Sequence, residues 1–308
     1  MNILIVDDIH EVLLQKLGRA AIAYSYQPDF SRADAEKAIV DYDGLIIRSK
    51  FQVDKEFIDL NPNLKMIGRA GAGMDNIDEA YASSKGIKLI PANEGNRDAV
   101  GEHMIGMLLS LMNNLNRGDR EVRSGEWKRE ENRGHELKGK TVALIGYGHN
   151  GQAMAKKLSG FDVKVIAYDK YKTGFSDLYA TEVSMEEVVR RADVLSFHIP
   201  LTRETRGMVD DEYLFHFRKP IFFLMGARGG IVKIPAVLKK LDEGKIIAAA
   251  FDVLPVEKFP ALAEEAWYED LIKRDNVLLS PHVAGWTFES YYKLSEVLAD
   301  KVIAYEYQ

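Results

Sequence analysis

Short apolar runs alternate with amphipathic stretches along most of this chain. Runs near 2–6, 22–26, 44–48, 65–68 and 87–90 are rich in Ile, Leu and Val and read as strands. Between them, segments near 9–18, 31–40, 54–60 and 77–85 carry apolar positions at helical spacing. Such alternation implies βαβ units and a mostly parallel sheet. A longer helical pattern runs from about 97 to 117, with Val100, Met104, Met107, Leu108 and Leu111 repeating at its period. The chain then turns polar and charged to about 138, which predicts a short helix and a connecting loop. A second alternation follows, with strands near 140–146, 163–168, 193–197, 220–225, 246–251 and 276–279 and helices between them. Ser184 and Glu187 have capping-box spacing at one helix start, and Gly244 follows Lys239-Lys240 as a helix stop. Tyr291, Leu294, Val297, Leu298 and Val302 give the tail one apolar helical face, expected to pack back on the first α/β unit.

One junction in this pattern carries chemistry. The run Val142–Ile145 feeds into Gly146-Tyr147-Gly148-His149-Asn150-Gly151, a helix is predicted over 149–159, and the next strand ends on Asp169. A strand, G-x-G-x-x-G, a helix, a strand and an acid in that order are the context of a dinucleotide-binding turn. Gly146 permits the tight turn, Gly148 lets backbone approach a pyrophosphate, and Gly151 allows close helix–sheet packing. The helix N-terminus offers N–H groups to the phosphates, and Asp169 would accept ribose hydroxyls while repelling a 2′-phosphate. NAD is therefore expected, with Lys170 and Lys172 keeping NADP open.

Composition narrows the partners. With 308 residues, about two domains are expected, each able to bury a core. A net charge of −6 without a long Lys/Arg run argues against nucleic acid. The absence of cysteine removes disulfides, thiolate metal ligands and a Cys nucleophile. The N-terminal run is too short and turns acidic too soon for a signal peptide, and no apolar stretch is long enough to cross a bilayer. A cytoplasmic location is expected. His103, His135, His149, His198 and His216 show no metal-ligand spacing, so no metal is expected.

Three isolated polar residues follow predicted strands: Arg228, Glu257 and His282. Ligands bind at the carboxyl ends of strands in open α/β sheets, and histidine and arginine suit proton transfer and carboxylate binding. The segments His198-Ile199-Pro200-Leu201-Thr202-x-x-Thr205, Ala227-Arg228-Gly229-Gly230-x-Val232, Ala250-Phe251-Asp252-Val253 with Glu257, and Ser280-Pro281-His282-x-Ala284-Gly285 complete a resemblance over the whole length. The chain resembles the D-isomer-specific 2-hydroxyacid dehydrogenases, with their 3-phosphoglycerate dehydrogenase branch nearest.

That resemblance implies two doubly wound parallel-sheet domains. A Rossmann NAD-binding domain at 97–285 is inserted in a flavodoxin-like substrate domain made of 1–96 and 286–308. It implies His282 as acid/base facing an interdomain cleft, Glu257 holding its other ring nitrogen, and Arg228 on the substrate carboxylate. Cofactor contacts extend to Gly146, Tyr147, Gly148, His149, Asn150, Gly151, Asp169, His198, Pro200, Thr205, Ala227, Arg228, Asp252, His282 and Gly285. In the first domain, Ala72 and Gly73 would receive the carboxylate, beside Ser49 and Asn96, and Arg48, Lys50, Arg69 and Arg97 are candidates for a phosphate. A homodimer through the cofactor domain, with the 97–117 helix at its interface, is implied as well.

Some positions depart from the family pattern. Leu224-Met225-Gly226 stands where an Asn is usual, Lys258 replaces a common proline, and 258–272 is long, which leaves Glu264 and Glu265 as rivals of Glu257. The expected reaction is oxidation of 3-phospho-D-glycerate, without a serine-sensing regulatory domain. A glyoxylate or hydroxypyruvate reductase and a non-catalytic NAD(H)-sensing protein are the alternatives.

Overall fold

Strands buried on both faces need helices on both sides, and the fully buried Leu45, Ile46 and Ile47 show how far this is carried. The computed structural model describes residues 1–307. It contains two units, Met1–Arg97 with Trp286–Gln308, and Asp98–Gly285.

The first unit has a five-stranded parallel sheet of β1 (Asn2–Ile5), β2 (Ala23–Tyr26), β3 (Gly44–Ile47), β4 (Met66–Arg69) and β5 (Lys88–Pro91), in the order β2-β1-β3-β4-β5. That is the flavodoxin-like order, whose chain reversal leaves loops free at the carboxyl ends of β1 and β3. The C-terminal helix Phe288–Glu306 belongs to this unit. Thr287 and Ser290 form a reciprocal capping box at its start. Leu294, Leu298, Ala299 and Val302 bury one face against Ile3, Ile5, Leu13 and Leu17. Ion pairs such as Lys16–Asp300 at 2.8 Å and Lys301–Glu94 at 2.6 Å flank that seam. Solvent-screened pairs of this kind add at most about 1 kcal/mol each, so the apolar stripe dominates.

The second unit has a seven-stranded parallel sheet: β6 (Thr141–Ile145), β7 (Lys164–Tyr168), β8 (Thr181–Glu182), β9 (Val194–Phe197), β10 (Ile221–Met225), β11 (Ile246–Phe251) and β12 (Val277–Leu279). The order β12-β11-β10-β9-β6-β7-β8 reverses direction beside β6. This is the doubly wound dinucleotide-binding arrangement, with its switch point between β6 and β9.

Three sequence expectations are corrected. The helix expected over 97–117 ends at Met112; Asn114 adopts φ +53°, and a separate helix, Leu115–Arg123, follows. A left-handed residue cannot continue a right-handed helix. The apolar residues of Arg97–Met112, including Met104, Leu108 and Met112, are buried in the core of their own unit rather than left for a partner. The Ser184–Glu187 box is one-sided: Ser184 accepts the Glu187 N–H, but the Glu187 carboxylate is drawn to Arg190 and Arg191. The short strand β8 lacked any apolar run to announce it.

Leu298 is fully buried, so Leu298→Ala should cost about 2–5 kcal/mol by lost transfer energy and a residual cavity. Chemical denaturation checks this; a cost below about 1 kcal/mol would show the helix is not packed there.

Candidate active site

The glycine turn after β6 has the geometry of a phosphate cradle. Gly146 sits at φ +94°, and a Cβ there would lie 2.6 Å from the His198 carbonyl oxygen. A Cβ on Gly151 would lie 2.3 Å from the Gly146 carbonyl oxygen, so the helix His149–Leu158 packs on the turn only because that Cβ is missing. Gly148 has open space instead, where a ligand's backbone-hugging group would go. His149 is exposed, and the buried Asn150 Oδ1 has no hydrogen-bond partner within the protein. These residues fit a dinucleotide pyrophosphate.

Asp169, at the end of β7, accepts the N–H of Tyr147 and of Tyr171, both at 3.0 Å. Its neighbouring cations are occupied. Lys170 pairs with Glu204, which also accepts the Tyr171 hydroxyl at 2.8 Å, and Lys172 donates to the Tyr147 carbonyl at 2.9 Å. The Tyr147 side chain, in the turn expected to bind the cofactor, faces the core. Its ring is buried, stacks on Phe175 and donates to Asp177 at 2.9 Å, because a large apolar ring in this turn gains more from the core. Further along, Thr205 closes the turn by donating to the Pro200 carbonyl at 2.7 Å. His198 Nε2 lies 3.0 Å from Ser196 Oγ, and its ring is surrounded by protein although part of the residue reaches solvent. Desolvation pushes its pKa down to about 4, so it stays neutral near pH 7.

Arg228, Glu257 and His282 stand at the carboxyl ends of β10, β11 and β12. His282 Nδ1 is 2.9 Å from Glu257 Oε2, and that hydrogen bond is the chief reason its pKa is raised. Desolvation and the nearby Arg228 charge oppose the shift. Glu257 is therefore the carboxylate on this ring; Glu264 ends the short turn of 3-10 helix Ala261–Glu264, and Glu265 caps it. Gly229 makes the convergence possible, since its missing Cβ would sit 2.0 Å from the Leu254 carbonyl carbon. Ala227 is buried beneath, and the Arg228 Nη1 donates to the Ala227 carbonyl at 2.7 Å.

His282 has φ +55°, a conformation rare for a side chain with a Cβ. Asp252, 1% exposed, holds it there. Its carboxylate accepts the N–H groups of Val283 and Ala284 at 2.9 Å each and the Ser280 hydroxyl at 2.6 Å, while its carbonyl accepts the His282 N–H at 2.8 Å. His103 Nε2 lies 3.0 Å from Ser280 Oγ; since that hydroxyl's proton points to Asp252, His103 is the donor. Asp252, expected beside the cofactor, anchors this loop from within. Its burial comes from the loop that passes over it toward Gly285. His103 and Ser280 were not anticipated, as nothing in the sequence ties a helix residue to this loop.

In the first unit, Asp7 plays a comparable part. Its Oδ2 accepts the N–H groups of Arg48, Ser49 and Lys50 at 2.9, 2.7 and 2.9 Å. Asp7 ends the first apolar run, and the strand-end reasoning applied to Arg228 would have found it. Arg69 is committed inside the protein: it donates to the Arg48 carbonyl at 2.9 Å, to Asn76 Oδ1 at 2.8 Å and to the Gly73 carbonyl. The Lys50 ammonium donates to the Pro28 carbonyl. Both candidate cations thus have carbonyl partners within the protein. Arg48 remains, with Nη1 buried and unpartnered, and Arg97 is exposed. The Ala72 and Gly73 N–H groups have no partner among the described residues, and the buried Asn96 Oδ1 has none either. No cluster of metal-ligating side chains occurs among the described residues, and no helix is long and apolar enough to cross a membrane.

Sheet order, glycine turn and ribose-side acid define the second unit as a dinucleotide-binding domain carrying a histidine–carboxylate pair. Residues 105–284 match the family described as D-isomer specific 2-hydroxyacid dehydrogenase, NAD binding domain. The chain belongs to this family, and its cofactor is NAD. It is 32% identical over 305 residues to a D-3-phosphoglycerate dehydrogenase of Archaeoglobus fulgidus, covering 98% of this chain but only 57% of that protein's length. It is 35% identical to a glyoxylate reductase of Thermofilum pendens, covering 89% and 81% of the two chains. A NAD-dependent formate dehydrogenase from Staphylococcus aureus, solved with NAD, superposes with a TM-score of 0.78 at 26% identity, over 99% of this chain and 96% of the other.

Glu257→Gln should bring the His282 pKa back down toward the ordinary value, which NMR titration of the imidazole measures. An unmoved titration would detach Glu257 from the histidine. In the native protein the raised pKa gives stability present below about pH 6.5 and lost as pH rises through the folded value. Asp169→Ala should narrow the preference for NADH over NADPH roughly 10- to 100-fold, the worth of one charged hydrogen bond. Fluorescence titration with both nucleotides checks it, and an unchanged ratio would remove the carboxylate from that role.

Proposed function

We propose that this chain is an NAD-dependent oxidoreductase that oxidises a D-2-hydroxy acid at C2, and that its acid is 3-phospho-D-glycerate. The product would be 3-phosphohydroxypyruvate, at the first step of serine synthesis. The observation that carries the reaction type is the 2.9 Å Glu257–His282 pair beside Arg228. With Nδ1 held by Glu257, Nε2 of His282 is left to take the hydroxyl proton as C2 loses hydride. Bound NAD supplies the acceptor for that hydride. In the reverse direction the imidazolium returns the proton to the alkoxide oxygen.

Glu257 carries a further consequence. A carboxylate at 2.9 Å stabilises the imidazolium, so the protonated form that reduction requires persists to higher pH. Arg228 holds the substrate carboxylate through paired N–H donors. Arg48 and Arg97 are the cations available for a phosphate. Gly146, Gly148, Gly151, Asn150 and Asp169 hold the cofactor. The working form is a cytoplasmic homodimer.

A second reading is a glyoxylate or hydroxypyruvate reductase with the same machinery. The commitment of Arg69 and Lys50 to internal carbonyls favours it, since fewer cations then await a phosphate. Measuring NADH formation with 3-phosphoglycerate, D-lactate and D-glycerate, and NADH consumption with glyoxylate and hydroxypyruvate, separates the two. Preference for the phosphorylated acid is expected; preference for the small keto acids would replace the substrate but keep the reaction. His282→Ala should lower kcat about 10²- to 10⁴-fold with NADH binding retained. Full turnover in that variant would overturn the reaction type.

A further inference from the structure

Arg48 is held at both ends. Asp7 fixes its backbone, and the Arg48 guanidinium carbon lies 4.6 Å from the centroid of the Trp286 ring. Trp286 is itself braced, standing edge-on to Tyr291 at 5.7 Å and 71°. Tyr291 in turn donates its hydroxyl to Asp8 at 3.0 Å and stands edge-on to His10 at 5.6 Å. The acids nearby are thus engaged elsewhere: Asp8 by that hydroxyl, Asp7 by the backbone N–H groups it collects.

A guanidinium paired with a carboxylate is neutralised, and its donors are used up. Seated on an indole face it keeps its charge, and its in-plane N–H edges stay open to a further ligand. The Nη1 of Arg48 is buried and has no hydrogen-bond partner in the protein, so the stacked guanidinium has a donor still unmet. A stacked, unneutralised arginine whose backbone is also clamped is pre-organised for an anion, because little rotamer freedom remains to be lost on binding.

We propose that Trp286 is a specificity-determining residue. By carrying Arg48 on its ring face, it sets the chain's preference for 2-hydroxy acids that bear a second anionic group away from C2. Trp286 acts through Arg48 and is a positioning residue for it. The proposal rests on the dehydrogenase reading above and deepens its substrate class to acids with a distal phosphate or carboxylate.

The test compares wild type, Trp286→Ala and Trp286→Phe on 3-phospho-D-glycerate, D-malate and D-glycerate, with NADH binding and thermal unfolding measured alongside. Trp286→Ala should raise KM for the acids with a distal anion roughly 5- to 30-fold, the worth of a partly desolvated cation–π contact, and leave kcat and the KM for D-glycerate nearly unchanged. Trp286→Phe should restore most of the loss, since a phenyl face still seats the guanidinium, and it serves as the test if the alanine variant fails to fold. Whichever of 3-phospho-D-glycerate and D-malate suffers more in Trp286→Ala identifies the distal group as phosphate or carboxylate. If wild type prefers the distal anion and the variants keep that preference, or lose D-glycerate turnover equally, the role of Trp286 is overturned while the substrate reading stands. If wild type shows no such preference, the substrate reading itself fails and the proposal falls with it.

Discussion

The buried carboxylate of Asp252 is the constraint on which the site depends. His282 sits in left-handed backbone, which costs an L-residue roughly 1–2 kcal/mol relative to ordinary conformations. Hydrogen bonds from Ser280, Val283 and Ala284 to one desolvated carboxylate, and from His282 to the carbonyl of the same residue, offset that cost and leave the loop one geometry. His103 extends the anchor into a helix of the same core. The imidazole then meets Glu257 at 2.9 Å with its second nitrogen free, and every chemical step assigned to the protein follows from that orientation.

The same device is built twice. Asp7 at the end of β1 and Asp252 at the end of β11 are both nearly fully buried, and both collect backbone N–H groups from a loop that carries a cation or an imidazole. Parallel sheets place strand ends, loops and side chains together at their carboxyl edge, so one acid there can order a whole loop. The arrangement separates two tasks. A buried acid holds backbone, while Arg48 and the Glu257–His282 pair on the same loops are less buried.

Much of this was legible in the sequence because it depends on local rules. Periodicity located the α/β alternation, and the strand–glycine–helix–strand–acid order located the cofactor turn, since each glycine there answers a steric demand made within a few residues. Arg228, Glu257 and His282 were legible as polar groups at strand ends. The helix break at Asn114 and the strand β8 were not, because neither leaves a hydrophobic signature.

By itself, then, the sequence determined the two parallel sheets, the dinucleotide turn and the identity of the groups able to do acid/base work. These follow from the period of apolar residues and from steric limits that neighbours impose. Only the tertiary structure decided which acid holds the histidine, that Asp252 and Tyr147 face inward, that Arg69 and Lys50 bind their own loops, and that Arg48 lies on Trp286. Those outcomes turn on competition among residues far apart in the chain for a few buried hydrogen-bond partners, and no local pattern records who wins.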